Sequence, residues 1–325
     1  MSPAGRAIVV GAGVVGLSSA IRLLERGFAV RVLARELTPD TTSDAAAAIW
    51  YPYLAEPRER ILPWSRATLE ALASSRSTGG GVSEVRLLEL FDGPAEAPWW
   101  REALPGFAWA RPEALPPGYA AAYDIRVPLL DTSVYMGWLM GRVRELGGSL
   151  ERVQVSRLRD LLGEAPVVVN CAGAYAGALA GDASVVPIRG QVVRLERVEG
   201  VTTALVDDAG PLALTYVIPR PRDIVVGGTA TRGCWDLEPD PAVASAILER
   251  ATTLEPRLAG ARALSHAVGL RPGRPTVRLE AERFASGVII HNYGHGGSGF
   301  TLAWGCADEV AMLALREARP ASEGG

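Results

Sequence analysis

The chain has 325 residues and a mass of 34.3 kDa, with 48% hydrophobic and 21% charged residues, a composition typical of a globular protein of about two domains. All 33 basic residues are arginine. The absence of lysine excludes catalysis through a lysine Schiff base and phosphate binding by a P-loop lysine. A net charge of −3 provides no basic surface for nucleic acid.

The cysteines and histidines do not indicate a metal site. Cys171, Cys234 and Cys306 are far apart in sequence and form no C-x-x-C pair. His291 and His295 are four residues apart, but the glycines around them make a helix unexpected, so we predict no metal. No apolar run reaches the ~18 residues of a membrane span, and we expect a cytoplasmic protein without a membrane partner.

The first 34 residues predict a strand, a glycine turn, a helix and a second strand. Residues 7–10 form a short β-branched run, and residues 11–16 read Gly-Ala-Gly-Val-Val-Gly. Apolar residues then recur at helical spacing over 17–24, and Gly27 is expected to end the helix. Residues 29–34 form the second strand. This context makes G-x-G-x-x-G a dinucleotide-binding motif.

Each glycine of the motif has a separate expected role. Gly11 permits the sharp turn, Gly13 lets a pyrophosphate approach the backbone, and Gly16 lets helix and strand pack closely. Glu36 lies 20 residues after Gly16, where an acid usually accepts from the ribose hydroxyl, whereas Arg35 would suit a 2′-phosphate. The motif alone therefore leaves FAD, NAD and NADP open.

Five later segments carry a family resemblance, and they are residues 41–53 (TTSDAAAAIWYPY), 215–219 (TYVIP), 227–229 (GGT), 268–272 (VGLRP) and 291–299 (HNYGHGGSG). In this order and spacing the chain resembles the D-amino acid oxidase family, which includes D-aspartate oxidases. The resemblance covers essentially the whole chain. It implies non-covalent FAD, a Rossmann-like α/β FAD-binding domain and a second, strand-rich α+β substrate-binding domain.

The resemblance also implies how the chain is divided. The FAD-binding domain would comprise residues 1–52, 129–184 and 263–325, and the substrate-binding domain residues 53–128 and 185–262. Within the former we expect a helix over 132–146 capped by Asp131 or Thr132, strands over 150–155 and 167–170, and a helix over 299–318. The implied cofactor contacts are Gly11, Gly13, Val14, Val15, Gly16, Arg35, Glu36, Thr42, Ser43, Ala47, Ala48, Ile49, Val153, Ala172, Gly173, Gly294, His295, Gly296, Gly297, Ser298, Gly299, Phe300 and Thr301.

The implied reaction is the oxidation of a D-amino acid by transfer of a hydride from Cα to flavin N5, giving a 2-oxo acid, ammonia and hydrogen peroxide. Arg271 matches the family arginine that binds the substrate carboxylate, for which a forked, permanently charged donor is suited. Tyr216 matches the tyrosine that bonds the same carboxylate, and the carbonyl of Gly297 would accept from the amine. No residue is expected to act as an acid or base, since positioning is the protein's task.

The substrate pocket departs from the family pattern at one position. Trp50, Tyr51 and Tyr53 would line the pocket, with ordinary core or lid packing as the alternative. Ala230 stands where family members often carry a tyrosine or, for acidic substrates, an arginine; Arg232 could compensate. We therefore expect neutral, apolar D-amino acids, branched ones included. The alternative is another amine-oxidising flavoenzyme, such as a D-aspartate or glycine oxidase. Molecular oxygen is the second substrate, and a homodimer is the candidate assembly.

Overall fold

The computed structural model describes residues 4–52 and 55–318, and its strands form two sheets. The first sheet contains β1 (Gly5–Val10), β2 (Phe28–Ala34), β6 (Ser149–Arg152), β7 (Val167–Asn170), β14 (Arg278–Phe284) and β15 (Gly287–Tyr293). The second contains β3 (Val82–Phe91), β4 (Ala108–Trp109), β5 (Ala121–Leu130), β8 (Val186–Leu195), β9 (Thr203–Asp207), β10 (Thr215–Pro219), β11 (Ile224–Gly227), β12 (Thr231–Arg232) and β13 (Ala263–Gly273).

The described residues also form six α-helices, one of which has only five residues. These helices are α1 (Val14–Glu25), α2 (Arg58–Ser75), α3 (Thr132–Glu145), α4 (Ala176–Ala180), α5 (Pro241–Leu254) and α6 (Gly299–Ala318). Within the described part of the chain, no helix is both long and apolar enough to cross a membrane. The mixed α/β architecture agrees with the fold class predicted from the sequence.

The first sheet has the order β14-β15-β7-β1-β2-β6, and all its strands are parallel except β14. Residues 7–10 of β1 and 167–169 of β7, the central strands, are continuous apolar runs because both faces of the sheet are covered. One face packs against α1, α3 and α6, and the other packs against apolar residues including Leu158 and Leu162. The carboxyl ends of the parallel strands are thereby held at one edge.

Several predicted elements are confirmed. The strand over 167–170 and the helix over 299–318 are β7 and α6, and the helix predicted over 132–146 is α3. Asp131, rather than Thr132, caps α3, because its carboxylate accepts from the Ser133 N–H at 3.1 Å. The strand predicted over 150–155 is shorter than expected, since β6 ends at Arg152.

Two helices lie in regions that the sequence suggested were strand-rich. α2 carries Pro63 inside it, and proline in a helical pattern argues against a helix because it removes a backbone donor. α5 has an Asp240 cap followed by Pro241, a recognisable start signal. The domain division remains a proposal, and β13, which falls in the predicted FAD-binding part, pairs with β8 of the second sheet.

Candidate active site

A cavity of about 750 Å³ lies between the two sheets. On one side it is bordered by the segments that follow the carboxyl ends of β1, β2, β6, β7 and β15. The chain leaves β1 toward β2, whereas β7 lies on the opposite side of β1, so the cavity opens where the strand order reverses. Open α/β sheets bind their ligands at this position, and the volume is typical of a cofactor site.

The glycine turn after β1 borders the cavity. A side-chain carbon at Gly11, whose φ is 112°, would lie 2.8 Å from the backbone carbonyl carbon of Cys171. One at Gly16 would lie 2.9 Å from the carbonyl carbon of Gly11, so helix and strand approach closely, as the motif predicts. Helix α1 has no side-chain cap at Gly13, and its N-terminus faces the cavity. That end suits an anion.

Arg35 and Glu36, at the end of β2, form an ion pair on the cavity wall. Arg35 Nε donates to Glu36 Oε1 at 2.7 Å, and its guanidinium lies 3.8 Å above the ring of Tyr175. The pair partly neutralises the arginine, which makes the site unfavourable for the extra phosphate of NADP. That Arg35 or Glu36 contacts the ribose of the nucleotide stays a prediction.

The second glycine loop joins β15 to α6 and borders the same cavity. Gly294 and Gly296 have φ values of 86° and 54°, which favour glycine. His295 between them is only 3% exposed, and burial lowers its pKa to about 4, so the imidazole is neutral at pH 7. Its Nε2 has no hydrogen-bond partner within the described residues, although the side chain lines the cavity.

Arg271 on β13 and Tyr216 on β10 meet at the wall formed by the second sheet. The Arg271 guanidinium donates to the Thr229 carbonyl at 2.8 Å and lies close enough to the Tyr216 hydroxyl to influence its pKa. Burial raises the pKa of Tyr216, and the positive charge of Arg271 opposes that rise. A permanent cation beside a neutral hydroxyl can bind a carboxylate through several hydrogen bonds.

Tyr51 lines the cavity and is held from two sides. Its backbone N–H donates to Thr301 Oγ1 at 3.0 Å, and that hydroxyl donates to the Tyr51 carbonyl at 2.8 Å. Its phenol donates to Glu89, which is 8% exposed and whose pKa is raised to about 7 by burial. Sequence reasoning missed Glu89; its only signal was a carboxylate inside the apolar strand β3.

Trp50, Gly16, Gly294, Ser298 and Thr301 do not border the cavity, although we expected them at the site. Trp50 is fully buried, and its indole N–H donates to the Ser65 carbonyl at 2.9 Å, so it packs in the core. Tyr53 lies outside the described residues. The predicted residues that do line the cavity are Gly11, Gly13, Val14, Val15, Arg35, Glu36, Thr42, Ser43, Ala47, Ala48, Ile49, Tyr51, Val153, Ala172, Gly173, Tyr216, Ala230, Arg271, His295, Gly296, Gly297, Gly299 and Phe300.

No group of three or more histidine, cysteine or acidic side chains is arranged for a metal ion among residues 4–52 and 55–318. His291 instead approaches Glu282, with 3.1 Å between Nε2 and Oε2.

Comparison with known proteins agrees with this geometry. The sequence profile of the FAD dependent oxidoreductase family matches residues 6–313. The chain is 52% identical over 313 residues to a D-amino-acid oxidase of Rubrobacter xylanophilus, which covers 95% of both chains. It is 42% identical over 317 residues to a D-amino-acid oxidase of Streptomyces coelicolor, covering 95% of this chain and 97% of that one. The chain belongs to the D-amino acid oxidase family.

The fold is also shared with solved structures of low sequence identity. The structure of a glycine oxidase from Bacillus cereus superimposes with a TM-score of 0.81 over 97% of this chain and 96% of that chain, at 19% identity. At that identity the likeness shows the fold alone.

The cofactor of this D-amino acid oxidase family member is FAD, and the residues present fit it. The N-terminus of α1, where Ser43 Oγ accepts from the Val14 N–H at 3.0 Å, can hold the pyrophosphate, and a side chain at Gly13 would come within 3.1 Å of the same Oγ and fill that space. His295, which also borders the cavity, has a buried Nε2 without a hydrogen-bond partner among the described residues. In this family member the glycine turn, the 41–49 loop and the second glycine loop would hold the flavin nucleotide.

Proposed function

We propose that the protein catalyses the FAD-dependent oxidative deamination of neutral, apolar D-amino acids to 2-oxo acids, releasing ammonia and hydrogen peroxide. The observation that carries this proposal is the Arg271–Tyr216 pair, which lies in the same cavity as the glycine turn. An amino acid oxidase needs a carboxylate site beside its flavin, and this pair supplies the matching charge and donors.

In the proposed mechanism the chain binds and orients the substrate. The Arg271 guanidinium binds the substrate carboxylate, and the neighbouring Tyr216 hydroxyl donates a hydrogen bond to that carboxylate. The carbonyl of Gly297, on the cavity wall, accepts from the substrate amine. FAD, when bound, supplies the two-electron oxidation of the Cα–N bond and passes the electrons to oxygen. Holding the carboxylate and the amine leaves the Cα–H in a fixed direction, which is the protein's main contribution.

The proposed preference for neutral side chains rests on the cavity wall near Arg271. Ala230 contributes only a methyl group to the cavity, and Leu214 and Val206 add further apolar side chains. Asp207 and Asp208 on the same lining would repel an acidic substrate. D-Aspartate oxidation is the second candidate, favoured by Arg232, which also borders the cavity. Two cations in one cavity would bind the two carboxylates of an acidic substrate.

The test uses the purified FAD-loaded protein. Under anaerobic conditions, D-valine is expected to bleach the oxidised flavin absorbance, and L-valine is not. With oxygen present, peroxide release from D-valine, D-aspartate and glycine then ranks the substrates. A protein that no D-amino acid bleaches would overturn the proposal. Peroxide release that is faster from D-aspartate than from D-valine would instead indicate a D-aspartate oxidase, and release that is faster from glycine would indicate a glycine oxidase.

The homodimer and the cytoplasmic location are proposals that follow from the sequence alone. Size-exclusion chromatography with light scattering measures the molar mass, and a value near that of one 34.3 kDa chain would exclude the dimer.

A further inference from the structure

The two side chains of the carboxylate site start from strands that do not touch each other. β13 pairs with β8, β8 pairs with β11, and β11 pairs with β10. Neighbouring strands lie about 4.8 Å apart, so the backbones of β13 and β10 are separated by roughly 14 Å. Arg271 and Tyr216 can therefore meet only if both lie flat across the intervening strands.

A glycine stands under each side chain at the crossing. A side-chain carbon at Gly190 of β8 would lie 2.7 Å from Arg271 Cζ and Nη2. One at Gly227 of β11 would lie 2.6 Å from Cε2 of the Tyr216 ring, and Gly227 is the direct cross-strand partner of Tyr216. Real Cβ atoms essentially never come within 3.0 Å of such neighbours. Any other residue at either position would occupy the space of the carboxylate site.

A left-handed backbone does not explain these glycines, because neither Gly190 nor Gly227 has a positive φ. At Gly190, whose peptide bonds are trans, alanine also fits the local backbone. The obstacle to a side chain is the functional side chain above it.

We propose that Gly190 and Gly227 are positioning residues, which form a trough across the second sheet that lets Arg271 and Tyr216 reach each other and present one carboxylate site. This inference rests on the proposed function, because it assigns these residues to the binding of the substrate carboxylate. The two glycines touch neither reacting atom and act through the side chains that lie over them.

The two positions should respond differently to alanine. At Gly190 the obstructing atoms are the free end of a flexible arginine, which can swing away without disturbing the fold. At Gly227 the obstructing atoms belong to a rigid ring held within the sheet, so the fold must also adjust. Gly190→Ala is therefore the decisive variant, and Gly227→Ala is expected to lower the melting temperature as well.

The experiment measures KM and kcat for D-valine, and benzoate binding to the FAD-loaded protein by calorimetry. Gly190→Ala is expected to raise KM and weaken benzoate binding at least tenfold, with a smaller change in kcat and an unchanged melting temperature. Gly163→Ala is the matched control, because an added carbon there meets nothing within 4 Å and the residue is exposed. This control is expected to match the wild type in all four quantities.

A double-mutant cycle separates positioning from a general defect. If Gly190 acts through Arg271, adding Gly190→Ala to Arg271→Ala should change benzoate affinity less than twofold. Equal losses in the two backgrounds, or unchanged KM in the single variant, would overturn the inference. A wild-type protein that binds benzoate but oxidises no D-amino acid would instead refute the proposed function. The trough could then still be tested by measuring benzoate binding to the glycine variants.

Discussion

Tyr51, which lines the cavity, donates a hydrogen bond from its hydroxyl to the buried Glu89 carboxylate. Burial raises the pKa of Glu89 from 4.5 to about 7, Tyr51 lowers it, and the charge of Asp208 raises it. The phenol of Tyr123 lies close enough for the Glu89 charge to contribute to the rise of its own pKa. Tyr51 on the cavity wall is thus hydrogen-bonded to a carboxyl group, that of Glu89, whose pKa is near neutrality.

The first prediction concerns stability against pH. Because the folded-state pKa of Glu89 is raised, the folded protein holds more protons than the unfolded chain between pH 4.5 and about 7. The free energy of unfolding should therefore fall as pH rises through this window, by roughly 3 kcal/mol at most. Glu89→Gln stays neutral and should melt well above the wild type at pH 8.5 but close to it at pH 5.

The control for this prediction lies on the same strand. Glu84 is exposed and pairs with Arg76 across 2.6 Å. The stability of Glu84→Gln relative to the wild type should therefore not increase from pH 5 to pH 8.5. Melting curves of the three proteins at both pH values measure the effect. A stability difference between Glu89→Gln and the wild type that is the same at both pH values would contradict the assignment.

The second prediction concerns the carboxylate site. Arg271→Ala should weaken substrate binding by about 2–5 kcal/mol, because a desolvated charge loses its partner. Tyr216→Phe removes one neutral donor and should cost about 0.5–1.5 kcal/mol. Steady-state KM for D-alanine measures both, with Arg126→Ala, an exposed arginine on β5, as the control. An unchanged KM in Arg271→Ala would mean that the carboxylate binds elsewhere.

The third prediction compares one substitution in two helices. Gly16→Ala in α1 would press against the carbonyl of Gly11, so it should lower both the melting temperature and the affinity for FAD. Gly137→Ala in α3 meets nothing within 4 Å and is exposed, and it should stabilise the protein by about 0.5–1 kcal/mol through helix propensity. Thermal melts and titration of the apoprotein with FAD test the pair; the same sign of change in both helices would refute the packing argument.

The fourth prediction concerns a buried ion pair in the turn between β10 and β11 of the second sheet. Arg220 is fully buried, donates to both oxygens of Asp223 at 2.7 and 2.6 Å, and donates to Thr132 of α3 at 2.9 Å. Arg220→Ala leaves a largely buried carboxylate unpaired and should cost about 3–5 kcal/mol. Arg222, two residues away, has a side chain that is 69% exposed, and its alanine variant should lose less than about 1 kcal/mol. Urea unfolding compares them, and similar losses would contradict the prediction.

Local patterns predicted the N-terminal part of the first sheet. The glycine turn with the strand before it and the helix after it follows from glycine spacing, a β-branched run and helical spacing of apolar residues, whereas β7 and α6 were expected from the family resemblance. The helix α2 could not be predicted in this way, because Pro63 and weak amphipathicity hide it, and its position depends on packing against α6.

The parts of the site that depend on non-local contacts could not be predicted from the sequence. Consecutive residues of an extended segment point in opposite directions, so only one of Trp50 and Tyr51 can face the cavity. The pairing of residue 49 with Leu129 of β5 sets which one does. Likewise, Glu89 and Gly190 acquire their roles from Tyr51 and Arg271, which are distant in sequence.

The order of the first sheet also determines when it can form. β1 is bordered by β2 on one side but by β7 on the other, and β15 adds only beyond β7. Helix α1 packs against α6, whose described residues end at 318. A nascent chain therefore carries its nucleotide-binding turn long before the elements that hold it have been synthesised. We expect the amides of β1 to gain protection from hydrogen exchange late in refolding, together with those of β15, since distant pairing delays closure.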